Sequence, residues 1–326
     1  MKMARKVILD VDTGSDDAVA VMAAILSKDI DVVAICTVWG NLEVDLTTEN
    51  TLRLVEHMGM GDKIPVYKGC HTAMCKYLTN AQLTYSRRIA KDENGNVIHM
   101  HEPELALPPA TIKAQDLPAV CFYIDYLRNA TEKVTLIPVG PLTNLGHALR
   151  IAPDIAEKIE EIVIMGGGDK VGNVAPNAEA NIWHDPEAAQ IVATAKTRVV
   201  WVPLDATHSA CLTLDDCERF RALGTFAGDF AADLTAHRIT VHNLTQPLDV
   251  PDAAAVHDAL CVCYVIDPTV LDDLQPARIM VGLDDYTAGE TIVDRRESGV
   301  EPNGYFAFHG DRKKFADILC DVFKKQ

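Results

Sequence analysis

The sequence predicts an α/β fold: a mostly parallel sheet flanked by helices, with a few antiparallel strands near the C-terminus. Apolar runs typical of buried strands alternate with longer helical segments along most of the 326 residues, as in βαβ units. From Ala277 onward, short runs alternate apolar and polar residues, which is typical of antiparallel strands. No linker, internal repeat or low-complexity tract interrupts the chain, so residues 1–326 are expected to form one domain.

The predicted elements follow one another regularly. Strands are expected at 7–9, 30–38, 64–67, 134–139, 161–165 and 198–203, and in the tail at 277–281, 291–295 and 305–308. Helices are expected at 18–25, 44–58, 117–129, 145–150, after 187, and at 214–241, 253–266 and 315–323. Residues 69–111 show no regular pattern apart from a turn at 92–96, and a long irregular segment in a compact domain is often a functional loop.

Four aspartates lie in the turn between the first predicted strand and the first predicted helix: Asp10, Asp12, Asp16 and Asp17. In open α/β sheets this turn lies at the carboxyl edge of the strands, where ligands bind. So many like charges are costly unless a cation neutralises them or some stay protonated. Calcium or magnesium, which prefer oxygen ligands, would neutralise them. A single aspartate here would be interpreted as a helix cap, but four of them favour a cation-binding site.

Several polar residues are expected near this turn. Asn41 follows the second strand, level with the acidic residues. A polar loop at 172–181 offers hydrogen-bond donors and acceptors that suit sugar hydroxyls, from Asn173, Glu179 and Asn181. The glycines at 166–168 end another strand, where they would let the backbone approach a neutral ligand.

Histidines at two places are weaker candidates. His257 and Asp258 are the only polar pair inside the apolar segment 253–266. A lone histidine there would be an ordinary core residue, but the adjacent buried aspartate needs a cation or a donor, which favours a site. His99 and His101 follow the turn at 92–96, and histidines in surface loops usually have no specific role.

Composition excludes several classes of protein. Lys and Arg total 30 against 47 Asp and Glu, a net charge of -17, which argues against binding nucleic acid or anionic membranes. No apolar run reaches the length of a membrane span, and the basic start meets Asp10 before a signal-peptide core can form. The nine cysteines lack a CxxC pair, which is typical of thiols in a reducing cytoplasm.

On these residues, the chain resembles the inosine–uridine-preferring nucleoside hydrolase family over nearly its full length. The family opening, D-x-D-P-G-x-D-D-A, matches residues 10–18, with Thr13 in place of the usual proline and every carboxylate kept. Further matches in the family order are Gly40-Asn41, Gly140-Pro-Leu-Thr-Asn144, Met165-Gly-Gly-Gly168, Asn173…Glu179-x-Asn181, Asp185-Pro-Glu-Ala-Ala189 and His257-Asp258. Each motif is weak alone, but their shared order is specific.

The resemblance implies a mostly parallel, Rossmann-like sheet with one Ca²⁺ at its carboxyl edge. It implies hydrolysis of the N-glycosidic bond of ribonucleosides, purine or pyrimidine, through an oxocarbenium-like transition state. Asp12, Asp17 and Asp258 would bind the calcium together with the backbone carbonyl of Val139. Asp12 would also be the general base on a metal-bound water, with Asp10 as a support behind these ligands.

The resemblance also implies roles in substrate binding. The residues that would hold the ribose hydroxyls are Asp16, Asn41, Asn173, Glu179 and Asn181. His257 stands where base-nonspecific members have a histidine that helps to protonate the leaving base. His99 is the more natural counterpart of the histidine in the family motif I-H-G, with His101 as the alternative. The implied partner is a small-molecule ribonucleoside, and the implied assembly is a homodimer or homotetramer.

Two other functions fit part of the pattern. A haloacid-dehalogenase-like, Mg-dependent phosphatase also has the pattern Asp10-x-Asp12 after a strand, but it has no use for Asp16 and Asp17 and needs a downstream lysine. A non-catalytic nucleoside- or sugar-binding protein would explain the polar loop, but it would not need both Asp12 and His257.

Overall fold

The computed structural model describes residues 4–75, 89–284, 286–296 and 299–325. The strands are β1 (Arg5–Val11), β2 (Ile30–Thr37), β3 (Val66–Lys68), β4 (Ala90–Lys91), β5 (Val97–Ile98), β6 (Val134–Pro138), β7 (Ile159–Met165), β8 (Arg198–Val202), β9 (Leu212–Thr213), β10 (Ala253–Ala254), β11 (Asp273–Val281), β12 (Thr291–Asp294) and β13 (Gly304–His309). The helices are α1 (Ser15–Leu26), α2 (Val44–His57), α3 (Ala119–Asn129), α4 (Thr143–Ile151), α5 (Ala180–His184), α6 (Pro186–Ala193), α7 (Leu204–Ser209), α8 (Leu214–Arg221), α9 (Phe226–Thr245), α10 (His257–Ile266) and α11 (Arg312–Phe323).

The described residues build a nine-stranded sheet in the order β12-β11-β13-β8-β7-β6-β1-β2-β3. From β3 to β13 the neighbouring strands pair in parallel. β11 pairs antiparallel with both β13 and β12. The predicted fold class is therefore confirmed, including the antiparallel pairing near the C-terminus.

The central strand β1 is buried on both faces, which explains its uninterrupted apolar sequence. Val7, Leu9 and Val11 point into a core formed with α1, α9, α10 and α11. Ile8 points to the opposite face, into a core formed with α3, α4 and α6. Successive side chains of a strand face opposite sides, so a strand covered by helices on both faces needs apolar residues throughout. This burial fixes the position of the acidic turn that follows β1.

The apolar segment at 253–266 is not one helix, which corrects the sequence prediction. Ala253 and Ala254 pair with β9 as a short strand, and α10 begins only at His257. Extended backbone ahead of the helix brings His257 and Asp258 into its first turn instead of its interior. Both polar side chains therefore lie at a helix N-terminus, where Asp258 is electrostatically favoured.

Short elements also appear where the sequence gave no regular pattern. β4 and β5 form a hairpin around the predicted turn, and Asp92 Oδ1 accepts the backbone N–H groups of Asn94 and Asn96 at 2.8 Å each. Residues 76–88 of that segment lie outside the described residues. α5 and α7 are short helices in what were predicted to be loops. In the described part of the chain, none of the helices has the length and apolar character that crossing a bilayer requires.

Candidate active site

The acidic turn folds back on itself between β1 and α1. One oxygen of Asp17 accepts the backbone N–H of Asp12 at 3.1 Å, and the other accepts that of Gly14 at 2.9 Å. Asp12 Oδ2 accepts the backbone N–H of Asn41, from the end of β2, at 2.6 Å. The carboxyl ends of the adjacent parallel strands β1 and β2 therefore lie side by side. Asn41 is close to the acidic residues, as its position after the second strand predicted.

The side chain of Asp12 has a glycine close to each of its two carboxylate oxygens, Gly40 and Gly140. A Cβ on Gly40 would lie 2.2 Å from Asp12 Oδ2, and one on Gly140 would lie 2.9 Å from Asp12 Oδ1. Both distances are below normal van der Waals contact, so any side chain at either position would displace the carboxylate. These two glycines belong to motifs that the sequence analysis matched, and the contact explains their residue type.

Three buried carboxylates converge beside this turn. Asp16, Asp17 and Asp258 offer oxygens that all lie within 4.8 Å of one another. Asp12 Oδ1 is also buried, and it has no hydrogen-bond partner among the described residues. A buried acceptor without a donor is costly, and a set of oxygen-only ligands is what hard divalent cations prefer. The residues present therefore fit a divalent metal ion.

Burial and mutual repulsion perturb the pKa values of these carboxyl groups in the absence of a cation. Burial first, and the charge of Asp16 second, raise the pKa of Asp17 to about 7. Burial also raises the pKa of Asp12 and of Asp258 well above the usual range, with neighbouring aspartates adding to the shift. A bound cation would act in the opposite direction because it favours the ionised form.

Glu179 is held at the start of α5 by backbone donors. Its carboxylate accepts the N–H groups of Asn181 at 3.0 Å, Gly167 at 3.1 Å and Ile182 at 3.2 Å. Burial nevertheless raises its pKa to about 7. The glycine turn at 166–168 was predicted to approach a ligand directly. Instead, Gly167, with φ of +82°, aims its N–H at Glu179, so this turn positions a side chain.

The other predicted polar residues connect to these groups. The amide of Asn181 donates to the carbonyls of Val139 at 2.7 Å and Met165 at 3.1 Å. It thereby orients the Val139 carbonyl that the family resemblance names as a ligand. Asn173 Oδ1 accepts the N–H of Ala180 at 3.0 Å. The amide of Asn41 lies 3.4 Å from both the Asp12 carbonyl and Asp17 Oδ2.

One cavity of about 590 Å³ brings most of the predicted site together. The predicted residues in its wall are Asp16, Asn41, His99, Val139, Asn173, Glu179, Asn181, His257 and Asp258. Asp12 and Asp17 are not in the wall, but both contact Asn41, which is. The cavity is large enough for a small-molecule ligand.

His257 is one of three neighbouring imidazoles. Its Nδ1 lies 2.7 Å from Thr207 Oγ1, which fixes the ring orientation. The ring centres of His208 and His242 lie 5.9 and 6.1 Å from it. Burial, and then the charge of Arg238, lower the pKa of His257 well below its usual value. Burial likewise lowers the pKa of His208 to about 4 and of His242 to about 3, so all three are neutral at pH 7.

The two loop histidines differ in their surroundings. His101 is buried, its Nδ1 accepts the backbone N–H of Ser15 at 3.2 Å, and a Cβ on Gly14 would lie only 2.1 Å from it. His99 is exposed at the cavity rim, and its carbonyl accepts a 2.7 Å hydrogen bond from His237 Nε2. His101 therefore contacts the acidic turn, while the substrate role of His99 stays a prediction.

Sequence reasoning missed Arg238, which lies in α9 and in the cavity wall. The side chain is only 2% exposed. Its Nη1 donates to Asp16 Oδ1 and to Ser15 Oγ, both at 2.9 Å, and its Nε donates to the Ala255 carbonyl at 3.0 Å. No local pattern marks this arginine, because its two side-chain partners, Ser15 and Asp16, lie more than two hundred positions away in the sequence.

Comparisons with known proteins found relatives over nearly the whole chain. The family model described as inosine-uridine preferring nucleoside hydrolase matches residues 7–317. The pyrimidine-specific ribonucleoside hydrolase RihA of Escherichia coli K12 is 34% identical over 326 residues, covering 99% of each chain. The purine-preferring ribonucleoside hydrolase from Gardnerella vaginalis has a similar structure, with a TM-score of 0.84, 30% identity and 98% of each chain covered. A plant nucleoside hydrolase gives a TM-score of 0.82 at 29% identity, covering 98% of this chain and 99% of the other.

The fold and these relatives define a hydrolase that acts on N-glycosyl compounds. The chain belongs to the inosine-uridine preferring nucleoside hydrolase family. Its activity is nucleoside hydrolysis on ribonucleosides, which confirms the enzyme class that the sequence motifs implied.

Proposed function

We propose that this protein is a calcium-dependent ribonucleoside hydrolase that releases ribose and a free base. The observation that carries the calcium requirement is the meeting of Asp16, Asp17 and Asp258 within 4.8 Å beside the unpartnered Asp12 Oδ1. Buried carboxylates in this number need a counter-charge. The cavity next to them is lined by amide and carboxylate groups that suit ribose hydroxyls.

The proposed calcium ligands are Asp12, Asp17, Asp258 and the carbonyl of Val139. Asp16 also offers an oxygen within 4.8 Å of those of Asp17 and Asp258, but its Oδ1 is already bonded to Arg238. That ion pair favours Asp16 for the substrate and Asp12 for the cation. When bound, calcium would orient a water molecule and lower its pKa.

In the proposed reaction, the water oxygen bonds to C1′ of the ribose as the N-glycosidic bond breaks. Asp12 accepts the proton that the water loses, and its Oδ1 has no other donor among the described residues. Positive charge develops on the ribose ring in the transition state. Carboxylates already in place around the ring stabilise that charge. The residues proposed to hold the ribose hydroxyls are Asp16, Asn41, Asn173, Glu179 and Asn181.

His257 is proposed to deliver a proton to the departing base. Thr207 fixes its ring, and the ring lies in the cavity wall. His99 is proposed to contact the substrate from the rim. Proton transfer from a positioned histidine is a common way to assist a leaving group. Because the resting ring is neutral, it first takes up a proton from solvent. The imidazolium then gives that proton to the base nitrogen as the N-glycosidic bond breaks, and the ring becomes neutral again.

The test is the Asp12→Asn variant assayed for reducing-sugar release from purine and pyrimidine ribonucleosides, with and without a calcium chelator. We expect turnover to fall by orders of magnitude and chelation to slow the wild type. p-Nitrophenyl phosphate serves as the control substrate for a phosphatase. Full hydrolysis by Asp12→Asn would contradict the assignment of the base, and wild-type silence on every ribonucleoside would contradict the function.

We also propose that residues 1–326 form one hydrolase domain, supported by a family match that spans nearly all of them. A cytoplasmic location is supported by nine free cysteines, which are typical of reducing compartments. A homodimer or homotetramer stays a proposal from the family resemblance, and size-exclusion chromatography with light scattering would test it. The acidic charge supports a small-molecule partner and no nucleic acid or membrane.

A further inference from the structure

We propose that Arg238 is a positioning residue that holds Asp16 toward the ribose and keeps it out of the cation site. This inference rests on the proposed function, because it assigns a task to a side chain that contacts a proposed substrate ligand. It concerns ribose recognition and makes no claim about the nucleobase.

Arg238 donates hydrogen bonds to two side-chain atoms of the acidic turn and to one backbone carbonyl just before α10. Nη1 reaches both Asp16 Oδ1 and Ser15 Oγ, while Nε reaches the Ala255 carbonyl. Both charged partners are almost fully buried, at 2% exposure for Arg238 and 4% for Asp16. A planar guanidinium can make these three bonds together, whereas a lysine ammonium cannot match their geometry.

This ion pair leaves Asp16 with one oxygen committed and one available. Asp16 Oδ1 faces Arg238, so only Oδ2 can meet a ligand without breaking the pair. One Asp16 oxygen already lies within 4.8 Å of oxygens of Asp17 and Asp258, and without Arg238 the carboxylate would be free to turn further toward a cation bound there. The result would be a tighter cation site with a missing ribose contact.

Charge balance supports the same assignment. Asp12, Asp16, Asp17 and Asp258 carry four negative charges when ionised, and a divalent cation offsets two. Arg238 offsets one more, which leaves a single net negative charge on this group of four aspartates, next to the ring on which positive charge develops. The buried guanidinium of Arg238 is already in place and needs no reorganisation during the reaction.

The competing explanation is that Arg238 only stabilises the fold, because its hydrogen bonds also connect α9 to the acidic turn and to Ala255. Arg53 offers a matched control for it. This arginine is 7% exposed, bonds Glu49 and Glu104, and approaches the carbonyls of Leu105 and Leu107 without touching the acidic turn. Losing Arg53 should therefore lower stability and leave sugar discrimination intact.

The experiment measures the calcium Kd by isothermal titration calorimetry, and kcat and KM on a ribonucleoside and on its 2′-deoxy and 3′-deoxy analogues. We expect a lower calcium Kd for Arg238→Met than for the wild type, and an unchanged or higher Kd would overturn the proposal. Arg238→Met, Arg238→Lys, Asp16→Asn, the double variant Asp16→Asn/Arg238→Met, and Arg53→Met are compared with the wild type. For Arg238→Met we expect KM for the ribonucleoside to rise at least tenfold. Its discrimination against at least one deoxy analogue should fall to the level of Asp16→Asn. The double variant should be no worse than Asp16→Asn, because coupled residues are not additive.

Arg238→Lys keeps the charge and protects the test against loss of folding. We expect it to raise KM and weaken discrimination, because one ammonium cannot reach Asp16, Ser15 and Ala255 at once. Wild-type KM and discrimination in Arg238→Lys or Arg238→Met, or equal loss of discrimination in Arg53→Met, would overturn the proposal. Failure of the wild type to hydrolyse any ribonucleoside would instead overturn the proposed function, so the two failures are distinguishable.

Discussion

Lowering the pH from 7 to 5 should weaken calcium binding, because protons and calcium compete for the same buried carboxylates. In the metal-free protein, the pKa of Asp17 is raised from 3.8 to about 7. At pH 5 this carboxyl group is therefore protonated and must release its proton to bind the ion. Each pH unit below the pKa costs 1.36 kcal/mol per displaced proton, so two units cost on the order of 3 kcal/mol. The proton on Asp17 alone therefore makes the calcium Kd roughly a hundredfold weaker at pH 5, and protons on Asp12 and Asp258 would act in the same direction.

The same linkage fixes the sign of the effect on stability. A carboxyl group with a raised folded-state pKa binds more protons in the folded than in the unfolded protein between about pH 4 and 7. Its contribution to stability therefore declines as pH rises through that window. Calcium removes this decline for the groups it binds. The lowered pKa values of His208 and His242 have the opposite sign, but they affect the metal-free and calcium-loaded forms alike.

The informative quantity is thus the difference in unfolding free energy with and without calcium. It would be measured by urea denaturation at pH 5, 6 and 7 with saturating calcium or with a chelator, alongside calorimetric Kd values. Glu179→Gln is the matched control, since Glu179 is a buried carboxyl group with its pKa raised to about 7 outside the three clustered aspartates. In the Glu179→Gln variant, the calcium-induced gain in unfolding free energy should depend on pH as it does in the wild type. An equal calcium effect at pH 5 and pH 7 would refute the reasoning.

Two further substitutions test the surroundings of the site. Thr207→Val keeps the shape but removes the 2.7 Å hydrogen bond to His257, and we expect kcat to fall by about tenfold, the equivalent of one hydrogen bond. Steady-state kinetics would check this, and an unchanged kcat would contradict it. Gly14→Ala would place a Cβ 2.1 Å from His101 Nδ1, and overpacking of this kind costs about 1–3 kcal/mol. Urea denaturation would check this, and wild-type stability would contradict it.

The acidic turn could be predicted from sequence because everything that defines it is local. An apolar run before Asp10 and an apolar helix after Asp17 are enough to place the carboxylates between two buried elements. Because the carboxyl ends of parallel strands meet at one edge of the sheet, Asn41 is also expected there. In the structure its backbone nitrogen lies 2.6 Å from Asp12 Oδ2.

Contacts made by distant segments could not be predicted in the same way. Arg238 belongs to a helix whose sequence gives no reason to expect a partner at Asp16, 222 positions away. The start of α10 was predicted too early because Ala253 and Ala254 are good helix formers, yet tertiary pairing with β9 makes them extended. The contact between His101 and the acidic turn depends on Gly14, whose missing side chain leaves room for the His101 ring.

The cavity is built from two kinds of wall. One wall consists of turns at strand ends in the nine-stranded sheet, where any change would disturb buried carboxylates. The opposite wall comes from the β4–β5 hairpin and from α9, including Val241, His242 and Gln246, none of which belongs to that sheet. Substitution of Val241, His242 or Gln246 would alter the cavity without removing any of the proposed ribose and calcium ligands. A pyrimidine-specific relative and a purine-preferring one can therefore both resemble this chain along almost its whole length.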